Sequence, residues 1–540
     1  MARAMGRRVL LVSVVLLLIA FPALVAAQRP ATPVPDPDTS QTPPPTPTVP
    51  IEPPAPAEPL TPTILSEPVV PVPVIPSSMP PVEGMPPPPT ISSAPVRLLP
   101  TLTTVGASRP VFMLQPSLSL SEEYSDNFDL TKTDRHSNFR TAIAPTLLFS
   151  LDSAFTKGII AYTFTANHDS FQNDMVYFHS VLGQVSWEAT PRLRFTIADA
   201  FTHNDEPTLA DSLNLRRQRA TFTSNAFSLT SDYLIDRVAT REYYRWNTFS
   251  DTEGDDTTTH AVGITASLPL YTENTLTLGY EYLTSRTTLS GGQTSQGNTQ
   301  TFQGTQDVTA HQLTGSLGRK LNALLTAGIS GNYAFYHLSG AGTTNSDNFQ
   351  LWTATLFGTY GTAPFTVTGN VGVTGLTSDS GGSRGPELAL SATASYAFAR
   401  AVASLTLEHG FSTTFATGEN FGVVETTGAT ASLSYSFTTR TSGTVSAYYR
   451  KTQTTGVGGG QTLGPSPNTS GGSGDVDEGV GATAALTVGL LRWLNLRFRY
   501  TYTQRFDSGT SGTTTTTQGS LNSNVGYSEN RARISLDMNF

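Results

Sequence analysis

The sequence predicts an all-β protein: an antiparallel up-and-down transmembrane β-barrel of about 20 strands (18–22), preceded by a signal peptide and a disordered proline-rich segment. Three observations predict it. The chain closes on a strictly alternating stretch in which Ala532, Ile534, Leu536, Met538 and Phe540 are apolar, while Arg533, Ser535, Asp537 and Asn539 between them are polar. Such alternation gives a strand one oily face and one wet face. Only 14% of the residues are charged and 38% are hydrophobic, with 46 Gly, 19 Tyr and 27 Phe among 540. That is strand chemistry, and too apolar-poor for a bundle of membrane helices. Finally, long and short connectors alternate along the chain, as short periplasmic turns and longer extracellular loops require.

The first 27 residues read as a signal peptide. Arg3, Arg7 and Arg8 supply the positive region, residues 9–21 the apolar stretch, and Val25 and Ala27 the small residues before cleavage. An uncleaved anchor is the alternative, but the apolar core is short for a span of about 20 residues. Residues 28–110 hold most of the 37 prolines. Runs such as Pro43-Pro44-Pro45 and 86–89 cannot donate backbone hydrogen bonds and favour polyproline II. This is a semi-stiff periplasmic linker: an unstructured leader, or an arm reaching a periplasmic export protein or the cell wall.

The barrel occupies 111–540. Its expected strands are 112–124, 138–151, 158–168, 176–188, 192–202, 217–230, 237–249, 258–270, 275–286 and 308–320. The set continues with 323–337, 348–360, 365–377, 387–398, 401–414, 424–438, 443–454, 479–490, 494–506 and 526–540. Long connectors such as 125–137, 203–216, 287–307, 455–478 and 507–525 alternate with tight ones such as 189–191, 271–274, 321–322 and 399–400. An even strand number returns both ends of the barrel to the periplasm. Within strands the faces separate cleanly. Leu494, Leu496, Phe498, Tyr500 and Tyr502 oppose Asn495, Arg497, Arg499 and Thr501. Tyr and Phe gather near strand ends, as an aromatic girdle requires. The expected localisation is the cell outer membrane, with its lipids and the barrel-assembly machinery as partners. Ile534, Leu536, Met538 and Phe540 form the expected assembly signal.

A barrel of this size encloses a wide lumen. Without a globular plug before it, the expectation is an open pore or one narrowed by an infolded loop. The pore-lining candidates are paired by parity: Arg192 with Arg194, Arg217 with Arg219, Arg241 with Arg245. Arg497, Arg499 and Arg505 share one row, and Arg531 and Arg533 lie on the last strand. Glu123, Glu281 and Glu408 are expected to face inward too. Arginine rows with fewer carboxylates would favour anionic solutes; the competing reading is a salt-bridge network that stiffens the wall. Tyr243 and Tyr448 offer stacking faces for sugar rings or simply pack the wall.

Other chemistry finds little footing. A net charge of −9 argues against nucleic acid. The absence of cysteine excludes disulfides, thiolate metal sites, cysteine nucleophiles and a lipoprotein anchor. The acidic groups Asp251, Glu253, Asp255, Asp256 and Asp475, Asp477, Glu478 lack calcium-loop spacing and read as solvated loops. The eight histidines show no zinc spacing, and no nucleophile elbow or phosphate loop is present. His203-Asn204-Asp205-Glu206 is the one conceivable acid/base group. No enzyme, cofactor or metal is expected.

The opening of the barrel, Pro116-Ser-Leu-Ser-Leu-Ser-Glu-Glu-Tyr124-Ser-Asp126-Asn127, is followed by Ser137-Asn-Phe-Arg-Thr-Ala-Ile-Ala-Pro145-Thr-Leu. This resembles the β-barrel porin type 2 family of Gram-negative outer membranes. There the first strand ends in a similar Tyr-x-Asp-Asn and the second carries a proline in a like position. The resemblance spans 110–540 loosely and implies a barrel associated with export of exopolysaccharide. The expected function is therefore a terminal pore for polysaccharide secretion. The alternatives are a general or anion-preferring diffusion porin and a structural or adhesive barrel.

Overall fold

The computed structural model describes residues 111–540 except 133, 207–220, 253–255, 296–297, 341–347, 380–382, 414, 416–421, 456, 458–475 and 507–525, and describes only the backbone of 289–304. The signal-peptide and linker readings concern residues outside this range.

Twenty strands follow one another: β1 (Val111–Ser125), β2 (Asn138–Asp152), β3 (Thr156–Asp169), β4 (Asp174–Thr190), β5 (Leu193–Asn204), β6 (Phe222–Ile235), β7 (Val238–Asp251), β8 (Asp256–Pro269), β9 (Asn274–Ser295) and β10 (Asn298–Lys320). Then come β11 (Leu325–Gly340), β12 (Asn348–Thr362), β13 (Phe365–Ser378), β14 (Arg384–Ala397), β15 (Ala401–Thr413), β16 (Val423–Ser436), β17 (Thr441–Thr454), β18 (Val476–Gly489), β19 (Leu494–Phe506) and β20 (Ser528–Asn539). Each pairs antiparallel with the next, and β1 pairs with β20 from Ser117↔Asn539 to Ser125↔Arg531. The sheet is thus a closed ring without a free edge, the one β-architecture a bilayer tolerates.

The connectors after even-numbered strands are tight, for example 191–192, 236–237 and 363–364. The two-residue turn 236–237 places Asp236 in the left-handed region, φ 54°, which an aspartate accepts at little cost. Most connectors after odd-numbered strands are long, including 126–137, 205–221 and 455–475. The short ones among these connectors are 170–173, 252–255, 379–383 and the β9–β10 hairpin. Residues 287–295 and 298–307, expected as part of a loop, instead continue both strands, with Asn298 opposite Ser295 and Thr305 opposite Thr288. Beyond the membrane both faces of a hairpin are wet. Its strands then need no apolar row, and a search for hydrophobic alternation passes over them.

Two further boundaries move. The sixth strand runs from Phe222 to Ile235, not over 217–230, because Asp232 continues it with an inward carboxylate that binds two arginines. Arg217 and Arg219 therefore precede the strand and lie outside the described residues. Arg192 sits in the 191–192 turn, not on the fifth strand.

The apolar rows face outward. Leu114, Leu147, Ile197, Val262, Leu313, Leu356, Leu405 and Phe498 are all exposed on strands spread around the ring. So continuous an apolar exterior is unstable in water and matched to lipid. Aromatic pairs mark the periplasmic end: Tyr396–Phe398 at 4.4 Å, Tyr435–Phe437 at 4.9 Å and Trp493–Phe540 at 6.2 Å between centroids. The backbone N–H of Phe540 donates to the Pro116 carbonyl, so the last residue is tied to the first strand.

The seam between β1 and β20 is pinned at its other end by Asp126 and Asn127. The Asp126 carboxylate accepts from the backbone N–H of Asn530 (2.7 Å) and from its Nδ2 (2.6 Å). Asn127 is wholly buried, and its Nδ2 donates to the carbonyls of Thr131 (2.7 Å) and Ser528 (3.0 Å). The motif at the end of the first strand is thus a latch on the last.

Candidate functional site: the lumen wall

With the apolar rows turned to lipid, the alternate residues of every strand face inward. Near the periplasmic mouth, Asp232 on β6 lies between Arg241 on β7 (2.7 Å) and Arg194 on β5 (3.6 Å). Arg497 pairs with Asp537 across β19 and β20 (3.4 Å). Farther along, Arg245 binds Glu281, which also accepts from the Tyr243 hydroxyl. Arg450 binds Glu408 (2.8 Å).

At the extracellular end the pairing is denser. Arg531 reaches Glu206 (2.7 Å), Glu529 (3.2 Å) and Glu123 (3.9 Å), and Arg533 reaches Glu123 (4.0 Å) and the Ser121 hydroxyl (2.9 Å). Arg505 binds Asp477. Arg140 binds Asp169 (2.7 Å) and Asp205 (2.8 Å) while its guanidinium lies 4.9 Å from the Phe128 ring centroid. Asp205 and Glu206 follow β5, yet their partners sit on β2 and β20. The chain leaving β5 is therefore drawn across the inside of the ring. The two acidic residues of the conceivable acid/base group are held in these ion pairs.

Several ion pairs and hydrogen bonds skip a strand, and in two of them a glycine lies directly between the partners. Gly428 on β16 stands opposite both Glu408 on β15 and Arg450 on β17. A Cβ at Gly428 would come within 2.4 Å of a Glu408 carboxylate oxygen. Gly263 on β8 likewise separates Tyr243 from Glu281, and a Cβ there would lie 2.3 Å from the tyrosine ring. Tyr243 is thereby pressed flat on the wall, with the Arg245 guanidinium 5.2 Å from its ring centroid. Tyr448 lies over Gly481 in the same way, with no cation over it among the described residues.

One part of the lumen was not foreseen. At the extracellular ends of β8–β13 the inward row turns apolar, with Ala261, Leu283, Val308, Ala334, Tyr336, Phe349 and Leu351 buried together. Phe415, from the β15–β16 connector, completes the cluster, 5.8 Å from the Tyr336 ring and 6.2 Å from the Phe349 ring. Its carbonyl accepts from the hydroxyls of Thr259 (3.0 Å) and Ser285 (3.3 Å). The sequence signal was present: on β11 both rows are apolar near the outer end, with Tyr333 and Phe335 outward and Ala334, Tyr336 and Leu338 inward, which a lipid face alone does not explain.

The outward rows carry few carboxylates. Glu122 accepts from the Thr141 hydroxyl (2.6 Å), and Asp199 from Asn225 Nδ2 (3.1 Å). Among the described residues no cluster of His, Asp or Glu has the geometry of a metal site.

No family model and no curated protein matches the chain. Among solved structures it is similar to the siderophore receptor PiuA from Acinetobacter baumannii (10% identity, 79% of this chain and 81% of that one, TM-score 0.47). It is also similar to a mutant of the ferric enterobactin receptor PfeA from Pseudomonas aeruginosa (11%, 79% and 80%, 0.41). A third is the outer membrane protein OpdK from the same organism (12%, 79% and 99%, 0.35). These likenesses are too distant to carry a function across. The closed ring, its apolar exterior and its polar inner rows define the class by themselves: the chain is an outer-membrane β-barrel protein.

Proposed function

We propose that the barrel is an outer-membrane conduit through which a secreted polysaccharide leaves the cell. The observation that carries this reading is the pairing of the wall charges. Arg194, Arg241, Arg245, Arg450, Arg497, Arg505, Arg531 and Arg533 each lie within 4.0 Å of a carboxylate. A wall most of whose charges are paired presents hydroxyls, amides and ion pairs, with Arg499 set among Arg497, Arg531 and Arg533, and suits a hydroxyl-rich polymer. It exerts little of the uniform field that concentrates one sign of small ion. Tyr448, one face on Gly481, supplies a stacking surface for a sugar ring. The resemblance of the first two strands to barrels associated with exopolysaccharide export points the same way.

The test is conductance in a planar bilayer. An export conduit passes ions with weak selectivity, and polysaccharide added on the periplasmic side blocks the current. The same paired wall also fits a general diffusion porin, which predicts conductance that polymer does not block from either side. A barrel that conducts under no condition would be a structural or adhesive one.

A further inference from the structure

Seven of the eight histidines share a placement that the lumen does not explain. His168, His179, His203, His260, His311, His337 and His409 all occupy outward positions in the strand registers. None is buried, whereas their inward neighbours Ala261, Ala310 and Leu338 are. Toward the extracellular end, the outward row passes from Val262 to His260 on β8, from Leu313 to His311 on β10, and from Leu405 to His409 on β15. His260 and His311 thus stand at the outer margin of the apolar band, where lipid tails give way to headgroups, and His179 lies one step inside it, next to the exposed Tyr177 and Met175.

Three of them are oriented by a tyrosine on the adjacent strand. The Tyr162 hydroxyl lies 3.0 Å from His179 Nδ1, Tyr244 2.8 Å from His260 Nδ1, and Tyr280 2.8 Å from His311 Nδ1. Where the phenol donates, Nδ1 accepts and the ring proton resides on Nε2. Nε2 makes no hydrogen bond among the described residues. The repeated arrangement sets an Nε2, fixed by its tyrosine, on the membrane-facing surface toward the extracellular side. His203 adds a second ring 6.4 Å from His179, and Tyr282 a second aromatic 5.2 Å from His311. Arg286 and Asp307, on the outward rows of β9 and β10, pair with each other (2.6 Å), and the Asp205 carboxylate lies close enough to His203 to interact with it.

We propose that these tyrosine-oriented histidines form a lipid site: they hold the phosphate groups of phosphorylated glycolipid in the outer leaflet. An ordinary aromatic girdle needs only amphipathic rings, and phenylalanine or tyrosine would serve. A histidine whose Nδ1 is already engaged contributes a directed donor, and phosphate oxygens are the strong acceptors at that depth.

The experiment compares the refolded full-length mature protein with the variant His179→Phe, His260→Phe, His311→Phe. Both are placed in phosphatidylcholine vesicles that contain either lipid A or dephosphorylated lipid A, and retained glycolipid is counted after extraction. The wild type is expected to retain lipid A roughly tenfold more strongly than the triple variant, since three directed hydrogen bonds are lost. It is expected to show a similar preference for lipid A over the dephosphorylated form. Equal retention by variant and wild type would overturn the proposal, because the rings would then be girdle alone. Equal retention of the two lipids by the wild type would overturn it even if the variant failed to fold.

Discussion

At the residue scale, Arg531 concentrates the most charge. Its guanidinium serves three carboxylates, from β1, from β20 and from the chain leaving β5. Arg531→Ala leaves those carboxylates uncompensated in a largely enclosed place, and is expected to destabilise the folded barrel by about 3–5 kcal/mol. Urea titration of the refolded protein measures it. In a double-mutant cycle with Glu206→Gln, the second change should cost much less in the Arg531→Ala background. Asn127 makes a separate case: Asn127→Ala removes two donated hydrogen bonds at the seam and should cost about 1–3 kcal/mol. A lowered temperature for the loss of the compact, heat-modifiable form would register it. The residue types on these rows were legible in the sequence, and so was their inward direction. Their partners were not. The arginines read as rows in excess of carboxylate because Glu206, Asp205 and Asp477 lie in or beside connectors, to which strand parity assigns no direction.

At the scale of elements, alternation found every strand of the ring, and connector length found which end is which. It failed where its physical premise fails. The β9–β10 hairpin lies outside the bilayer and has no oily row, so its strands are longer than predicted. The sixth strand lies downstream of its expected position, where the inward Asp232 continues it between two arginines. The closing strand β20 holds the ring by pairing with both β19 and β1. Its terminal Phe540 also sits against Trp493. Deletion of Phe540 is expected to lower the yield of heat-modifiable barrel in the outer membrane, while export to the periplasm proceeds unchanged. An unaltered yield would show that Ile534, Leu536 and Met538 suffice. Glycine at β16 has an equally local role. Gly428→Val should separate Glu408 from Arg450 and remove any coupling between them in a double-mutant cycle, without loss of the barrel.

For the whole molecule, the consequence of charge pairing is weak selectivity. The wild-type channel is expected to show a reversal potential near zero in a salt gradient. Replacement of Arg497, Arg499, Arg531 and Arg533 by Gln unmasks Asp537, Glu123, Glu206 and Glu529, and should shift that potential toward cations. No shift would place those residues outside the path of the solute.

By itself the sequence determined the class of fold, the near count and direction of the strands, and which face of each meets lipid. These follow from a two-residue repeat and from the bilayer's refusal of unpaired backbone, both of which are local rules. Only the tertiary structure decided that the wall charges neutralise one another and that Phe415 joins an apolar cluster inside the ring. It alone showed that Asp126 and Asn127 latch the first strand to the last, and that the histidines form an outward belt. Each of those facts joins residues from different strands or connectors. The closure of the ring brings them together, and no periodicity along the chain records it.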